Sequence, residues 1–265
     1  MARRARLDRR LHLRDPRRRV ARSGQTPCLG RLAGSTLDVM TVDTRMNSII
    51  HAALCRDLDR TALLVDRPSE LEPERLTQLG THLVWMMDLL HDHHTTEDTR
   101  LFPAMRANNP AARELLDQMD TEHQAIADAM GALTDAGRRA ASGDAGAVDA
   151  IRTALPALRT VLDPHLAHEE QELAPLVPQS MGEAEWAAFE KSNTEGKAPP
   201  VLAFQGHWML DNLGDEHAAV VKAQVPAVPR FVMLRLLGGP YRRRRTAVWG
   251  GTAAADVRSR PLTPA

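Results

Sequence analysis

The stretch LTQLGTHLVWMMDLLHDHHTTEDTRL, residues 76–101, carries apolar residues at steps of three and four, the spacing of one face of an α-helix. The periodic positions are Leu76, Leu79, Leu83, Met86, Leu90, His93, Glu97 and Leu101. His93 and Glu97 therefore occupy the face that the apolar residues predict to be buried. Because a buried polar side chain needs a partner, this stretch predicts both a helix and a site inside the fold.

Three further segments between residues 46 and 177 show the same periodicity. Their positions are His51, Leu54, Leu58, Ala62 and Val65; Leu115, Met119, His123, Ile126, Met130 and Leu133; and Val148, Ile151, Leu155, Leu158, Leu162, His165, Glu169 and Leu173. Breaker-rich stretches separate the four, at residues 66–73, 107–110 and 141–147. No segment alternates as a strand does. Because short connections favour antiparallel neighbours, we predict an all-α fold, an antiparallel up-down-up-down four-helix bundle.

The pattern predicts three regions: a disordered Arg-rich tail at residues 1–45, the bundle at 46–180, and a C-terminal helical extension with a basic tail at 181–265. Residues 1–22 carry ten Arg against two Asp and lack the apolar stretch of a secretory signal. An arm for nucleic acid or an anionic surface is one alternative for this tail. The other is translated upstream sequence, with the true start at Met40 or Met46.

Composition excludes several classes of protein. Two cysteines cannot form a disulfide scaffold, so a reducing, cytoplasmic compartment is expected. No apolar run approaches the ~18 residues of a spanning helix, and aromatic residues make up only 3%, so we expect neither a transmembrane segment nor a specific nucleic-acid partner. The run Arg242–Arg245 beside Val232 and Leu234 could contact an anionic membrane or nucleic acid, but a solvated end is the simpler interpretation. The oligomeric state stays open.

Six polar side chains replace apolar ones on the four buried faces: His51, His93, Glu97, His123, His165 and Glu169. Each helical residue advances the axis by ~1.5 Å, so counting from the connections shows which of them lie at one level. His123 is level with His165 and with the His93/Glu97 pair, whereas His51 is ~8 Å out of register with His93. We predict that four imidazoles and two carboxylates meet in the interior.

This donor set is typical of a metal centre. Residues four apart on a helix share a face, so His93 with Glu97, and His165 with Glu169, each present one nitrogen and one oxygen inward. Two carboxylates buried together repel each other unless cations accompany them. Nitrogen and oxygen donors suit mid-row transition metals better than Mg²⁺ or Ca²⁺. We predict two non-haem iron ions, with manganese or zinc as alternatives.

A repeat fixes the register, since HHTTEDTRLFP at residues 93–103 matches HLAHEEQELAP at 165–175. It selects His93 and Glu97 over the pair His94 and Asp98, which lies ~100° away around the helix. The residues that flank the proposed ligands are expected either to orient them or to lie exposed. They are His91, His94, Asp98, His168 and Glu170. Cys55 is expected to fill the core, and His82 to lie at the surface.

These motifs, together with His51 and the pair Glu122-His123, resemble the hemerythrin-like HHE cation-binding domain family over roughly residues 46–178. The resemblance implies that His51 and His93 hold one iron and His123 and His165 the other. Glu97 and Glu169 would bridge the two ions.

The same resemblance implies a protein that binds or reacts with dioxygen, hydrogen peroxide or nitric oxide, with peroxide decomposition by an enzyme as one possibility. The alternative is a non-catalytic iron or oxygen sensor, or a metal-binding module. The oxygen-carrying members have a second histidine four residues after the third-helix one, where this chain has Ala127, and an aspartate after a four-residue gap, where it has Glu169 after three. The missing nitrogen donor is expected to leave one iron more open.

Overall fold

The computed structural model describes residues 42–261, whose regular structure is entirely helical. The long helices are α1 (Arg45–Val65), α2 (Pro73–Thr96), α4 (Arg113–Ala141) and α5 (Ala147–His168), with the short α3 (Phe102–Asn108) between α2 and α4. Six shorter helices follow: α6 (Val177–Ser180), α7 (Glu183–Thr194), α8 (Pro199–Leu210), α9 (Asp215–Ala223), α10 (Ala227–Arg235) and α11 (Gly239–Trp249). The predicted all-α class is therefore confirmed.

Two further sequence predictions concern the N-terminal tail and the absence of a transmembrane helix. The tail that we predict to be disordered lies, up to residue 41, outside the described residues. Within residues 42–261, no helix has both the length and the apolar character needed to cross a membrane.

The four long helices coincide with the four periodic segments and pack in pairs, α2 on α4, α4 on α5 and α1 on α5. Their apolar faces form one core, in which Leu83, Ile126 and Leu158 are fully buried. Helices α2 and α4 approach closely at Gly80, where a Cβ atom would clash with the α4 backbone at Gly137. This close packing brings the polar residues farther along both helices within reach of each other.

Helix α5 contains Pro156 and Pro164, which by their missing backbone donors predict a kink or a break. No break occurs, because the helix runs continuously from Ala147 to His168. Both prolines lie on the exposed face. Water can therefore satisfy the carbonyl groups that lose their helical partners there, while the buried face keeps its register up to His165.

The C-terminal helices complete the core of the long helices rather than lying apart from it. Trp208, Tyr241 and Trp249 belong to the same buried cluster as the apolar residues of α2 and α5. Trp249 from α11 and Trp85 from α2 both pack against the His82 ring. The prediction that His82 lies at the surface is wrong, because a segment more than 120 residues later in the chain covers it.

A buried charge network joins α1 to this C-terminal part. Asp57 accepts hydrogen bonds from Arg56 and Arg60 and lies 2.8 Å from Nε2 of His82. Burial opposes the ionised carboxylate, but Arg56 and His82 hold the pKa of Asp57 well below its ordinary value. Asp211, at the end of α8, accepts a hydrogen bond from the same nitrogen of Arg60. The network therefore ties the C-terminal helices to α1 by charge as well as by apolar packing.

Replacing Asp57 by asparagine leaves Arg56 and Arg60 buried with one counter-charge fewer, so we expect the free energy of unfolding to fall by about 3–5 kcal/mol. The loss should persist from pH 8 to pH 5 and shrink only as the pH falls through the lowered pKa of Asp57, where the wild-type carboxyl becomes protonated. Asp59→Asn on the same helix is the control, since this exposed carboxylate pairs with Arg159 at the surface and should change stability by less than about 0.5 kcal/mol. Urea unfolding followed by circular dichroism measures both, and equal losses would contradict the assignment.

Candidate metal centre

The six polar side chains predicted to meet do come together, in a cluster enclosed by α1, α2, α4 and α5. Nε2 of His51 lies 3.2 Å from Nε2 of His93, although the residue count left this pair out of register. On the other side of the cluster, the rings of His123 and His165 have centroids 4.8 Å apart. His93 is partly buried and the other five residues are buried.

The two glutamates stand at matching points of the sequence repeat, each at the start of a π-helical turn. The turns are Glu97–Leu101 and Glu169–Leu173, and each continues the helix that carries the preceding histidine. The backbone N–H of Phe102 donates to the carbonyl of Glu97, five residues back, and that of Ala174 donates to Glu169 in the same way. A π turn widens the helix locally and is frequent at functional sites.

The metal-donor atoms form two groups, and within each group all donor atoms lie within 4.8 Å of one another. One group is His51, His93 and Glu169; the other is His94, His123 and His165. The sequence analysis placed His94 outside the ligand set, but its ring is buried and stacks on His123 with centroids 4.1 Å apart. The cluster thus contains five imidazoles, one more than the buried-face pattern predicts.

Both carboxylates reach from one donor group to the other. Oε1 of Glu97 lies 3.4 Å from Nε2 of His93, and Oε2 lies 3.9 Å from Nε2 of His123. Oε2 of Glu169 lies 3.2 Å from Nε2 of His51 and 3.8 Å from that of His165. Donors held at ~2.1 Å by one metal ion are separated by roughly 3–4 Å, so these spacings suit carboxylates shared between two cations.

Three outer carboxylates orient the imidazoles. Nδ1 of His51 lies 3.0 Å from Glu170, Nδ1 of His123 lies 2.7 Å from Asp98, and Nδ1 of His165 lies 2.8 Å from Glu122. A carboxylate accepts the Nδ1 proton and so leaves Nε2 with its lone pair directed inward, as at metal-bound histidines. For Asp98 and Glu170, which the sequence analysis left either orienting or exposed, these contacts favour the orienting role. Glu122 stands in the Glu122-His123 motif, yet its contact with His165 has no signal in the sequence.

The cluster concentrates the buried polar atoms that have no hydrogen-bond partner. Twelve buried side-chain nitrogen and oxygen atoms lack one within residues 42–261, and six of them belong to this cluster. They are Nε2 of His94, His123 and His165, Oε2 of Glu97, and both carboxylate oxygens of Glu169. Leaving such atoms unsatisfied costs about 1–3 kcal/mol each. All six are metal-donor types, so the residues fit a pair of cations.

The pKa shifts describe the site when protons, and not cations, are bound to its side chains. Burial and the neighbouring Glu169 raise the pKa of Glu97 well above its usual value. Burial lowers the pKa of His93 to about 3 and also lowers the pKa of His165, which favours the neutral form of both rings. Burial opposes a charge on His51 too, but Glu169 and Glu170 outweigh it and raise the pKa to about 9. Cations entering the site would replace the protons of Glu97 and His51.

A small pocket opens beside His51 and Glu169 and has about 10 Å³ of room, enough for one water-sized molecule. Its walls include Asn47 of α1 and Trp186 of α7. The pocket therefore borders the donor group with two imidazoles, not the group with three.

Cys55, one turn after His51, is a free thiol. Burial raises its pKa to about 12, which keeps the thiol protonated and suits the predicted core-filling role.

His94→Gln tests the fifth imidazole. We expect it to weaken binding of one cation by at least about tenfold, because removing even an outer partner of a metal ligand costs 10–100-fold. His91→Gln, three residues earlier and exposed, is the matched control and should leave the metal content unchanged. Elemental analysis of the purified proteins and titration with Zn²⁺ measure both. Unchanged binding by His94→Gln would remove this residue from the ligand set.

Residues 50–177 match the family model of the hemerythrin HHE cation binding domain. Comparison with curated proteins and with solved structures finds no match. The matched range contains all six polar residues predicted from the buried faces, and His94. The resemblance identified from the motifs is thereby confirmed, and residues 50–177 form a domain of the hemerythrin HHE cation-binding family.

Proposed function

We propose that this domain holds two non-haem iron ions and uses them to bind dioxygen, hydrogen peroxide or nitric oxide. The observation that carries the proposal is the set of six unpartnered donor atoms at one buried level. A core that needed no metal would place apolar side chains there.

The ligand set is proposed from the two donor groups. His51 and His93 would bind one iron, His94, His123 and His165 the other, and Glu97 and Glu169 would bridge them, as the spacings of their oxygens support. Neutral imidazoles with carboxylates suit iron, and manganese or zinc would fit the same donors. No thiolate lies among the clustered donors of residues 42–261, so metals that prefer sulfur are disfavoured.

The proposed scaffold is the up-down-up-down bundle of α1, α2, α4 and α5. Contacts near both ends support it for α1 and α5, since Ser48 bonds to Glu170 whereas Arg152 bonds to the carbonyl of Val65. For α2 and α4, Gly80 lies beside Ala141 while His94 lies beside His123. Each pair of contacts runs in opposite directions along the two helices, as antiparallel neighbours require.

Access favours a small diatomic or peroxide ligand. The pocket beside His51 admits one small molecule, and the adjoining donor group has the fewer nitrogens. When bound, the iron pair would supply electron transfer to such a ligand. The outer carboxylates orient His51, His123 and His165 through Nδ1, and the packed helices exclude bulk water.

Iron content and reactivity test the proposal together. Protein produced in iron-replete medium should contain two iron ions per chain and show absorption bands that change on adding peroxide. Continuous peroxide consumption by the diferric protein would mark an enzyme, whereas a stoichiometric, reversible spectral change would mark the sensor or carrier alternative. Preparations with no metal, or with one ion per chain, would contradict the dinuclear centre.

A substitution at Trp186 tests whether small ligands reach the metal centre through this pocket. Trp186→Ala should enlarge the pocket and raise the rate of azide binding to the iron-loaded protein several-fold, with iron content unchanged, because the indole lines the pocket without offering a metal donor. Phe189→Ala is the control, since this ring packs on Trp186 at a centroid distance of 5.1 Å but does not line the pocket. Stopped-flow absorption measures the rates. Equal rates in wild type and Trp186→Ala would place the entry elsewhere.

A further inference from the structure

Exposed apolar side chains concentrate on one short segment far from the metal centre in the sequence. Within residues 42–261, five large apolar side chains are exposed, and four of them lie between residues 228 and 236. Val228, Phe231 and Leu236 are 77, 62 and 68% exposed, and Val232 is 39% exposed. Single exposed apolar residues are ordinary, but a contiguous group of them marks an interaction site.

The four side chains lie on one face of α10, which continues through its C-cap residue Leu236. Positions 228, 231, 232 and 236 are separated by steps of three, one and four, which places them on one side of a helix. The helix is held from elsewhere, since His207 of α8 contacts the carbonyl of Met233 and Arg230 donates to the carbonyl of Lys222. No residue of α10 is buried. The apolar face is therefore presented by a helix that is already anchored.

The stretch of sequence that carries this face is uniformly basic. Residues 226–245 contain six arginines and no acidic residue. Three of them are committed to other contacts, since Arg230 bonds to a backbone carbonyl, Arg244 lies over Phe204 and Arg245 pairs with Asp211. The other three, Arg235, Arg242 and Arg243, have exposed side chains.

We propose that the protein binds peripherally to an anionic membrane through one surface, here called the α10 surface. This surface consists of Val228, Phe231, Val232, Leu236, Arg235, Arg242 and Arg243. A helix with an apolar face and a basic rim lies in the membrane interface, with its apolar side chains among the acyl chains and its cations beside the lipid phosphates. This role is independent of the metal centre, and it needs no spanning segment.

Charge favours an anionic membrane over a second copy of the chain. A symmetric dimer through this surface would bring two basic patches together, and four side chains offer far less than the ~800 Å² that each partner of a stable interface buries. Nucleic acid matches the charge but has no use for four exposed aliphatic and aromatic side chains outside a stacking arrangement. An anionic bilayer satisfies both the apolar and the basic part of the surface.

Co-sedimentation of the full chain with vesicles tests the proposal. Phe231→Ser/Leu236→Ser removes two apolar contacts and keeps every charge, including the ten arginines of residues 1–22. Because burying one Leu or Phe changes a partition constant by about tenfold or more, the double variant should bind vesicles of phosphatidylglycerol and phosphatidylcholine at least about tenfold more weakly. Val201→Ser, an exposed apolar position on α8, is the control and should bind as wild type does.

A second variant separates charge from apolar contact. Arg235→Gln/Arg242→Gln/Arg243→Gln should also weaken binding to anionic vesicles and should reduce its salt dependence, whereas vesicles of phosphatidylcholine alone should bind little of any variant. Three results would overturn the proposal: wild-type binding by the serine double variant, equal binding to neutral vesicles, or a change of oligomeric state in the double variant. Duplex DNA binding that the double variant loses would overturn it too, in favour of a nucleic-acid partner. Circular dichroism checks that each variant is folded.

Discussion

The interior of the four long helices has to satisfy five imidazoles and two carboxylates at one level, and no other group within residues 42–261 supplies their missing partners. Each long helix carries at least one polar side chain at that level, although apolar side chains above and below it are fully buried. Cations can satisfy all of these donors at once because they replace repulsion between the carboxylates by attraction. The packing of α2 on α4, and of α1 and α4 on α5, is what holds the donors at that level.

The outer carboxylates follow from the same constraint. A histidine that offers Nε2 inward must carry its proton on Nδ1, and a buried Nδ1–H needs an acceptor. Glu170, Asp98 and Glu122 supply it for His51, His123 and His165 respectively. Each acceptor comes from a different helix than the histidine it orients, so these contacts also bind neighbouring helices together. The charge arrangement of the site is thus distributed over all four helices, not confined to the donor atoms.

The periodicity of the sequence predicted the helices and the six donors because each helix has one dominant apolar face. It missed His94 because α2 faces two neighbouring helices, and adjacent residues can face different ones. His93 contacts His51 of α1, whereas His94 stacks on His123 of α4. It also missed the burial of His82, since the covering Trp249 comes from α11, far along the chain. Periodicity reports that a face is buried, but it does not report which distant segment covers a second face.

His94 changes the meaning of the alanine at position 127. By resemblance alone, Ala127 removes a nitrogen donor from the His123 side and leaves that iron open. The structure places a third imidazole on this side from α2 instead, so the His123 group holds three nitrogens and the His51 group two. The group with fewer nitrogens is also the one that borders the pocket at Trp186. For the iron centre proposed above, donor count and access agree on the His51 side as the place for an external ligand, opposite to what the missing histidine by itself suggests.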